Sequence, residues 1–274
     1  IHPDIMARTA AFLLLKDSKA SYAIEGERPP QNRAQRWGRA IGQAGQKSIT
    51  TDELIRLQQI VIDNPRFTKM GYREQEGFVG EHDRHHGTPI PDHISARFKD
   101  VLQLINGLIA TGDKLEQELE FDAVLAAAMI AFGFVFIHPF VDGNGRIHRY
   151  LIHHVLLKKG YVPKGMIFPV SSIILERLDE YRKTLEAFSM PRLDFVEWRP
   201  NGSNNVQIQN ETIETFVYDT TTKTPPVDQN FCTNVYSRPL NIQFLKRSII
   251  WKNTIKLKIF LIMYLKCPTK WWLW

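Results

Sequence analysis

The chain has 274 residues, of which 43% are hydrophobic and 23% are charged, proportions typical of a globular protein with enough apolar material for a substantial core. Its two cysteines, Cys232 and Cys267, exclude a disulfide framework and a zinc site of four thiolates, and they fit a reducing, cytoplasmic compartment. The formal net charge of +6 lies mostly beyond residue 200. Basic and acidic residues nearly balance in residues 1–200, so we expect no direct nucleic-acid binding by that portion.

The sequence opens without an initiator methionine and without a charged-then-apolar leader, so we expect a chain that is truncated at its N-terminus. The longest apolar run in the first 200 residues, Ala123 to Ile137, is shorter than the roughly 18 residues needed to span a bilayer. It leads into a polar loop. This run is therefore predicted to be a core helix, and no membrane association is expected.

Helical periodicity covers most of the first 200 residues. The first predicted helix, over residues 4–24, is stopped by Gly26 and the prolines that follow. Further helices are predicted over residues 33–45, 50–63, 96–112, 120–137, 146–160 and 171–189, with Thr50 or Thr51 as the N-cap of the third and Gly160 as the stop of the sixth. Residues 77–91 are rich in glycine and proline around a polar turn and predict a short β-hairpin. The expected fold class is therefore all-α with one short hairpin.

Residues 138–149, HPFVDGNGRIHR, form a predicted loop that opens a helix and gathers groups suited to phosphate. Gly143 and Gly145 let the backbone turn and bring amide N–H groups close to a ligand, and the helix N-terminus adds its own attraction for anions. Arg146 and Arg149 lie one helical turn apart, so both can hold phosphate oxygens by charge-assisted hydrogen bonds.

Two further residues of the loop have the chemistry of a transfer reaction. Asp142 lies beside the phosphate groups, where its carboxylate could hold Mg²⁺ together with phosphate oxygens. His138 could take a proton from an attacking hydroxyl at neutral pH. No HExxH occurs, which excludes a zincin-type metalloprotease, and no Gly-Lys-Ser/Thr follows the glycines, which excludes a Walker A loop.

The stretch HPFVDGNGRIHR matches every fixed position of the signature of Fic-domain proteins, H-x-F-x-[DE]-G-N-G-R-x-x-R, and the resemblance covers roughly residues 4–200. Most members of that family transfer AMP from ATP to a hydroxyl side chain of a target protein. The resemblance implies the use of ATP and Mg²⁺ and a Ser, Thr or Tyr hydroxyl of a protein as the acceptor, and it leaves self-modification and oligomer formation open. The implied roles are His138 as general base, Asp142 as Mg²⁺ ligand, Gly143, Asn144 and Gly145 as phosphate loop, Arg146 and Arg149 as β- and γ-phosphate contacts, and Phe140 as a core anchor.

The predicted hairpin resembles the flap of the same family, which aligns the target segment by strand addition. The implied docking residues are Phe78, Val79 and Gly80. His82, His85 and His86 lie at the tip of the hairpin, where they indicate either a metal site or a solvated polar tip.

The stretch SYAIEG, from Ser21 to Gly26, resembles the inhibitory element [ST]-x-x-x-E-[GN] of many Fic proteins. Ser21 and Glu25 are four residues apart and share one helix face. The family role pairs Glu25 with Arg149 and denies this arginine to the γ-phosphate. Taken locally, a carboxylate at a helix C-terminus is unfavourable by up to about 1 kcal/mol, and the alternative to an inhibitory role is a solvated surface glutamate.

The chain is accordingly divided into an inhibitory N-terminal helix at residues 1–30, a Fic core at 31–200 and a tail at 201–274. From Phe231 onward the tail has no acidic residue and no clean period, which predicts a sequence that is out of frame from about residue 225. The alternative is a basic membrane-surface segment.

The sequence thus indicates a protein adenylyltransferase that is autoinhibited by Glu25. Two alternatives stay open. One is a hydrolase that removes AMP from a modified protein at the same site, with Glu25 orienting a water. The other is a DNA-linked regulatory protein in which the Fic fold is a nucleotide-sensing module.

Overall fold

The computed structural model describes residues 3–62, 68–162 and 166–216. In this part of the chain the helices are α1 (Pro3–Ile24), α2 (Gln31–Gly42), α3 (Thr51–Val61), α4 (Val101–Gln117), α5 (Ala123–Ile137), α6 (Asn144–Lys158), α7 (Val170–Glu176) and α8 (Leu178–Leu193). The strands are β1 (Phe78–His82), β2 (Pro89–Ile94), β3 (Trp198–Pro200) and β4 (Val206–Ile208), followed by a 3₁₀ turn at Ile213–Phe216. The strands form two antiparallel pairs, β1 with β2 and β3 with β4.

The predicted helical fold with a flap hairpin is confirmed, and two details of the expectation are wrong. Residues 171–189 were expected to form one helix, but Arg177 leaves the helical region with φ −133° and ψ 45°, which separates α7 from α8. The second hairpin, β3–β4, was not expected, because strands of three residues are too short to show an alternating pattern. Its Val206 is fully buried in a small cluster with Ile94 and Val196, so it packs beneath the flap.

Helix α5 lies at the centre of the main core, as its uniformly apolar sequence predicts. It begins at Asp122, whose side chain accepts hydrogen bonds from the N–H groups of Val124 and Leu125. It packs along α6 and α4, and Phe134 on this helix is completely buried. Full burial of one such side chain contributes about 1.5–3 kcal/mol, so α5 and α6 form a rigid pair whose connecting loop is residues 138–143.

Helix α1 is fixed to α6 and α7 by a buried carboxylate. Asp17 is completely buried, and its Oδ2 lies 3.2 Å from His153 Nε2. The same carboxylate accepts hydrogen bonds from Ser171 Oγ at 3.1 Å and from the Ser172 N–H at 3.1 Å. A buried carboxylate is costly unless it is paired in this way, so Asp17 anchors α1 about two turns before Glu25.

Within the described residues, no helix combines the length and the apolar character that crossing a bilayer requires. The prediction of an out-of-frame sequence from about residue 225 falls outside the described residues, as do both cysteines. Residues 201–216, which were assigned to the tail, belong in part to the packed β3–β4 hairpin and the 3₁₀ turn.

The buried His154 of α6 generates a prediction for stability against pH. Burial, with the charge of Lys158, lowers the pKa of His154 from 6.5 to about 4, and its Nδ1 accepts a hydrogen bond from the Gly45 N–H at 3.2 Å. The unfolded chain binds a proton below about pH 6.5 and the folded chain does not until about pH 4, so the free energy of unfolding falls as pH drops through this window. One proton that binds the unfolded but not the folded chain changes the free energy of unfolding by about 1.4 kcal/mol per pH unit.

We expect His154→Asn to reduce this slope by about that amount between pH 6 and 4.5, because the Asn Oδ1 can accept from Gly45 in place of Nδ1 without titrating. Urea unfolding of both proteins across this range measures the slope. An identical pH dependence in the two proteins would contradict the assignment.

Candidate functional site

The loop between α5 and α6 begins at His138, which is in the left-handed conformation with φ 52°. Its Nδ1 lies 3.2 Å from Val135 O. A carbonyl can only accept, so Nδ1 carries the hydrogen and Nε2 keeps its lone pair. Burial and the charge of Arg73 lower the pKa of His138 to about 4. The imidazole is therefore neutral at physiological pH, with Nε2 free to accept a proton.

The middle of the loop is held by Asn144 and Phe140. Asn144 Oδ1 accepts from the Phe140 N–H at 2.9 Å, and its Nδ2 donates to Phe140 O at 2.8 Å. The Phe140 ring is buried and stacks on Tyr72 with ring centroids 5.5 Å apart, as expected of a core anchor. The Asn144 side chain thus closes the loop, which leaves only the backbone N–H of this residue for the phosphate role that the sequence predicts.

Gly143 caps the start of α6 with φ 95°, a conformation that favours glycine. Gly145 lies in the first turn of α6, directly against Glu25: a Cβ at this position would be 3.2 Å from Glu25 Cδ and closer still to its Oε1. The first turn of a helix attracts anions through its free N–H groups and its dipole. The carboxylate of Glu25 therefore lies in the anion site that the glycine pattern predicts.

The guanidinium of Arg149 contacts both side-chain and backbone oxygens at the end of α1 and just beyond it. Its Nη2 donates to Glu25 Oε1 at 2.7 Å and to Ser21 O at 2.8 Å, and its Nε donates to Ser21 Oγ at 3.2 Å. The Arg149 side chain is 2% exposed and that of Glu25 is 35% exposed. Burial alone would raise the pKa of Glu25, but the charge and hydrogen bond of Arg149 outweigh it and the pKa is lowered. These contacts favour a paired Glu25 over a solvated surface glutamate.

Arg146 is paired with a carboxylate that the sequence analysis missed. Its Nη2 donates to Asp142 Oδ1 at 2.7 Å, and its Nη1 donates to Glu27 Oε1. The other oxygen of Glu27 lies 2.9 Å from Arg33 Nη1. Arg146 Nε is a buried donor without an acceptor among the described residues. Both arginines of the motif are thus held by carboxylates of the segment that follows α1, and Arg146 retains a donor for a further anion.

Asp142 has the properties of a ligand for Mg²⁺. Its side chain is 49% exposed, and within the described part of the chain both of its side-chain contacts, to Arg146 and to the Gly143 N–H, use Oδ1. Oδ2 is left for a cation. No group of three or more metal-ligating side chains occurs among the described residues. A single carboxylate fits Mg²⁺ in particular, because this ion is usually held by one or two carboxylates plus phosphate oxygens and water.

The flap lies beside this loop. Its strands pair antiparallel, with a register shift between Val79 and Gly80. Gly80 has φ 154°, and a Cβ there would be 2.9 Å from the Asp92 N–H, so no other residue fits without displacing β2. Phe78 packs inward against the cluster around Ile94, whereas Val79 is 45% exposed. Among the three predicted docking residues, Val79 is therefore the side chain that is available to a partner.

The histidines at the flap tip do not assemble a metal site in the described structure. His86 Nδ1 lies 3.1 Å from Asp83 Oδ1, and His82 Nε2 lies 2.8 Å from Asn204 O in the turn between β3 and β4. The polar-tip interpretation is the one that these contacts favour.

Taken together, these residues define a helical protein with an anion site at the first turn of a buried helix and a neutral histidine beside it. The sequence pattern of the Fic/DOC family matches residues 48–156. Residues 48–156 therefore form a Fic/DOC domain, and the expected Fic domain is confirmed over this part of the chain.

Relatives with curated names match the same region. The chain is 28% identical over 126 residues to "Protein adenylyltransferase fic-1" of Caenorhabditis elegans. The matched region covers 45% of this chain and 22% of that protein. It is 30% identical over 118 residues to "Protein adenylyltransferase Fic" of Nematostella vectensis, which covers 43% of this chain and 25% of that protein. The chain thus spans about a quarter or less of the relatives that it matches.

Two solved structures share the fold. One is a Fic family protein from Desulfovibrio desulfuricans, with a TM-score of 0.51, 19% identity, and coverage of 67% of this chain and 59% of that chain. The other is a Fic domain containing signaling protein from Bacteroides thetaiotaomicron, with a TM-score of 0.54, 17% identity, and coverage of 75% and 80%.

The contact between Glu25 and Gly145 generates a prediction that depends on structure alone. We expect Gly145→Ala to destabilise the protein, because the added methyl group displaces the Glu25 carboxylate from Arg149. In a Glu25→Gly background the nearest remaining side-chain atom is Nη1 of Arg149, at 3.3 Å. The same change should then cost less, because alanine has a higher helix propensity than glycine and the Glu25 carboxylate is no longer displaced.

A double-mutant cycle by urea unfolding measures this coupling, which we expect to be at least about 1 kcal/mol. Additive effects of the two substitutions would show that Glu25 does not lie against α6.

Proposed function

We propose that this chain transfers AMP from ATP to a hydroxyl side chain of a target protein, and that Glu25 and Glu27 hold the site inactive. The observation that carries the proposal is that a neutral histidine begins the loop whose following helix, α6, carries two buried arginines in its first turns. The adenylyltransferase names of the relatives support the same reaction. The low cysteine content supports a reducing, cytoplasmic setting.

In the proposed reaction, His138 Nε2 accepts the proton of the target hydroxyl as its oxygen attacks the α-phosphorus of ATP. The P–O bond to the β-phosphate breaks, and pyrophosphate leaves. A pKa of about 4 keeps His138 unprotonated before ATP binds. The negative charges of bound ATP would raise this pKa, which brings the base closer to the operating pH that general base catalysis favours.

Arg146 and Arg149 would bind the β- and γ-phosphates, with the N–H groups at the start of α6. Asp142 Oδ2 would hold Mg²⁺, which when bound supplies charge neutralisation for the leaving pyrophosphate. The two arginines bind carboxylates, and Asp142 Oδ2 is open to a ligand. Binding of ATP would therefore require Glu25 and Glu27 to move, while Asp142 can keep its contact with Arg146 through Oδ1.

The proposed inhibition follows from competition for the same donors. Arg149 cannot bind the γ-phosphate through Nη2 while that atom donates to Glu25. ATP bound without this contact is expected to misplace its α-phosphorus relative to the hydroxyl, so affinity and turnover should separate. Glu27 restricts Arg146 in the same way.

We expect Glu25→Gly to raise AMP transfer roughly 10- to 100-fold, which corresponds to the loss of a restraint of about 1.4–2.8 kcal/mol. The measurement is incorporation of labelled AMP from ATP into lysate proteins and into the chain itself, which also reports self-modification. Adding His138→Ala should return the signal to background, because the base is lost while the phosphate contacts remain.

Ser21→Ala is the matched control. It removes one 3.2 Å hydrogen bond to Arg149 but keeps the backbone carbonyl and Glu25, so its effect should be small. Glu25→Gln should activate, since charge rather than bulk holds Arg149. Equal labelling by the parent and Glu25→Gly, with the parent already active, contradicts the inhibitory role. Release of AMP from a labelled target by either protein would indicate the hydrolase instead.

Glu27 provides a separate prediction. In the Glu25→Gly background, Glu27→Gln should lower the KM for ATP by several-fold, because Arg146 then exchanges a carboxylate for a neutral amide and becomes available to phosphate. Its matched control is Arg33→Gln, which removes the other partner of Glu27 but leaves the Glu27–Arg146 pair. A KM that is unchanged by Glu27→Gln would assign Glu27 to local structure only.

A further inference from the structure

Arg73 is a buried cation in the segment that leads into the flap. It is 5% exposed, and its guanidinium donates to four backbone carbonyls. Nε donates to His138 O at 2.8 Å, Nη1 to Gln75 O at 2.8 Å, and Nη2 to Ala96 O and, at 3.4 Å, to Ile137 O. The Arg73 N–H also donates to Pro139 O at 2.9 Å. One residue therefore contacts three consecutive residues at the start of the loop that carries His138.

These carbonyls belong to three segments whose relative positions Arg73 fixes. Gln75 precedes β1 and Ala96 follows β2, so the two carbonyls mark the two ends of the flap. Ile137 O and His138 O belong to the C-terminal end of α5, where free carbonyls and the helix dipole attract a cation. The guanidinium thus joins both ends of the flap to the residue that is proposed as the base.

The charge of Arg73 is only weakly compensated. The neighbouring carboxylate, Glu76 Oε2, lies 3.9 Å from Nη1. Burial lowers the pKa of Arg73 to about 10, so the group stays charged at neutral pH. Burying a cation among neutral carbonyls is costly, and an apolar side chain with ordinary loop packing would avoid that cost. The hydrogen bonds to the carbonyls and the α5 dipole compensate part of this cost, and two of the four carbonyls belong to Ile137 and His138.

We propose that Arg73 is a positioning residue of the transfer reaction: it fixes the backbone of His138 against the two ends of the flap, so that the base and the docked target segment keep one relative position. This inference rests on the proposed function. Arg73 acts through His138 and touches no substrate. Its donor geometry matters as well as its charge, because lysine has a single nitrogen that cannot reach four separated carbonyls.

Burial is the main cause of the lowered pKa of His138, and the charge of Arg73 adds to it. The titratable groups that act on His138 are Arg73, which lowers its pKa, and Glu25 and Asp142, which raise it; His93 of β2 interacts with it as well. Loss of the Arg73 charge should therefore raise the pKa of His138 toward its ordinary value. A residue with a structural role alone would change stability and overall rate without moving the pH dependence.

The test uses the full chain with Glu25→Gly as the active parent and compares Arg73→Lys, which keeps the charge, with Arg73→Gln, which removes it. We expect both to lower kcat for the target by about 10-fold or more while the KM for ATP stays within about twofold, because the phosphate-binding groups are untouched. On acidification, the midpoint of the activity loss should lie at a higher pH in Arg73→Gln than in Arg73→Lys or the parent, because only Arg73→Gln removes the positive charge beside His138.

Arg97→Gln is the matched control. Arg97 follows the flap, whereas Arg73 precedes it, and Arg97 pairs with Asp100 and Glu211 rather than with the His138 loop. This change should therefore leave kcat and the pH profile of the parent unaltered. A kcat for Arg73→Lys equal to that of the parent overturns the positioning role, and this outcome can be read even if Arg73→Gln does not fold.

A second readout separates this inference from the proposed function. NMR titration of the His138 ring, assigned with His138→Ala, should show a higher pKa in Arg73→Gln than in Arg73→Lys. If the Glu25→Gly parent shows no AMP transfer, the proposed function fails and the titration still decides whether Arg73 controls His138. Identical titration curves in the two variants, together with parallel rate profiles where activity exists, overturn the inference.

Discussion

Two guanidinium groups inside a helical core are the constraint on which the rest of the site depends. Arg146 and Arg149 are each 2% exposed, and an unpaired charge at such depth costs several kcal/mol. An anion at each guanidinium therefore stabilises the folded protein. In this structure the anions are carboxylates, from Glu25, Glu27 and Asp142. A site that requires negative charge can also accept it from a polyphosphate, which makes Glu25 and Glu27 competitors of the proposed substrate.

The competition can be resolved without undocking α1. Asp17 fixes this helix to α6 and α7 about two turns before its end, whereas Glu25 follows the last helical residue and keeps 35% of its side chain exposed. Gly26, with φ 75°, turns the chain away immediately afterwards. Release of the two arginines thus requires movement of the Glu25 and Glu27 side chains and of the short segment that follows α1. The buried hydrogen bonds of Asp17 stay in place. A local change of this kind costs far less than exposing the apolar face of a helix.

The parts of this architecture that the sequence predicts are those encoded by neighbouring residues. Seven helical segments follow from periodicity, and the site loop follows from twelve consecutive residues whose chemistry is local. Glu25 was found because its motif is also contiguous. Glu27 was not, since its meaning depends on a contact with Arg146 across 119 positions, and Arg73 was not, since its contact with His138 spans 65 positions. No periodicity signals such pairs. The β3–β4 hairpin was missed for a related reason: its short strands are stabilised by packing under the flap rather than by their own pattern.

The flap is restrained at its tip as well as at its base. His82 Nε2 contacts Asn204 O in the β3–β4 turn, and Asn205 Nδ2 donates to Glu76 O at 2.8 Å just before β1. A two-stranded hairpin is marginally stable by itself, so these contacts, with those of Arg73, give it a defined position. Proposed transfer requires that a hydroxyl on a strand added to this hairpin meets His138 Nε2 within hydrogen-bond reach, and a displacement of about 1 Å can cost about 100-fold in rate. Transfer therefore requires the flap and the loop that carries His138 to keep a fixed position relative to each other. The hydrogen bonds of Arg73 to carbonyls of both segments are where the structure connects them.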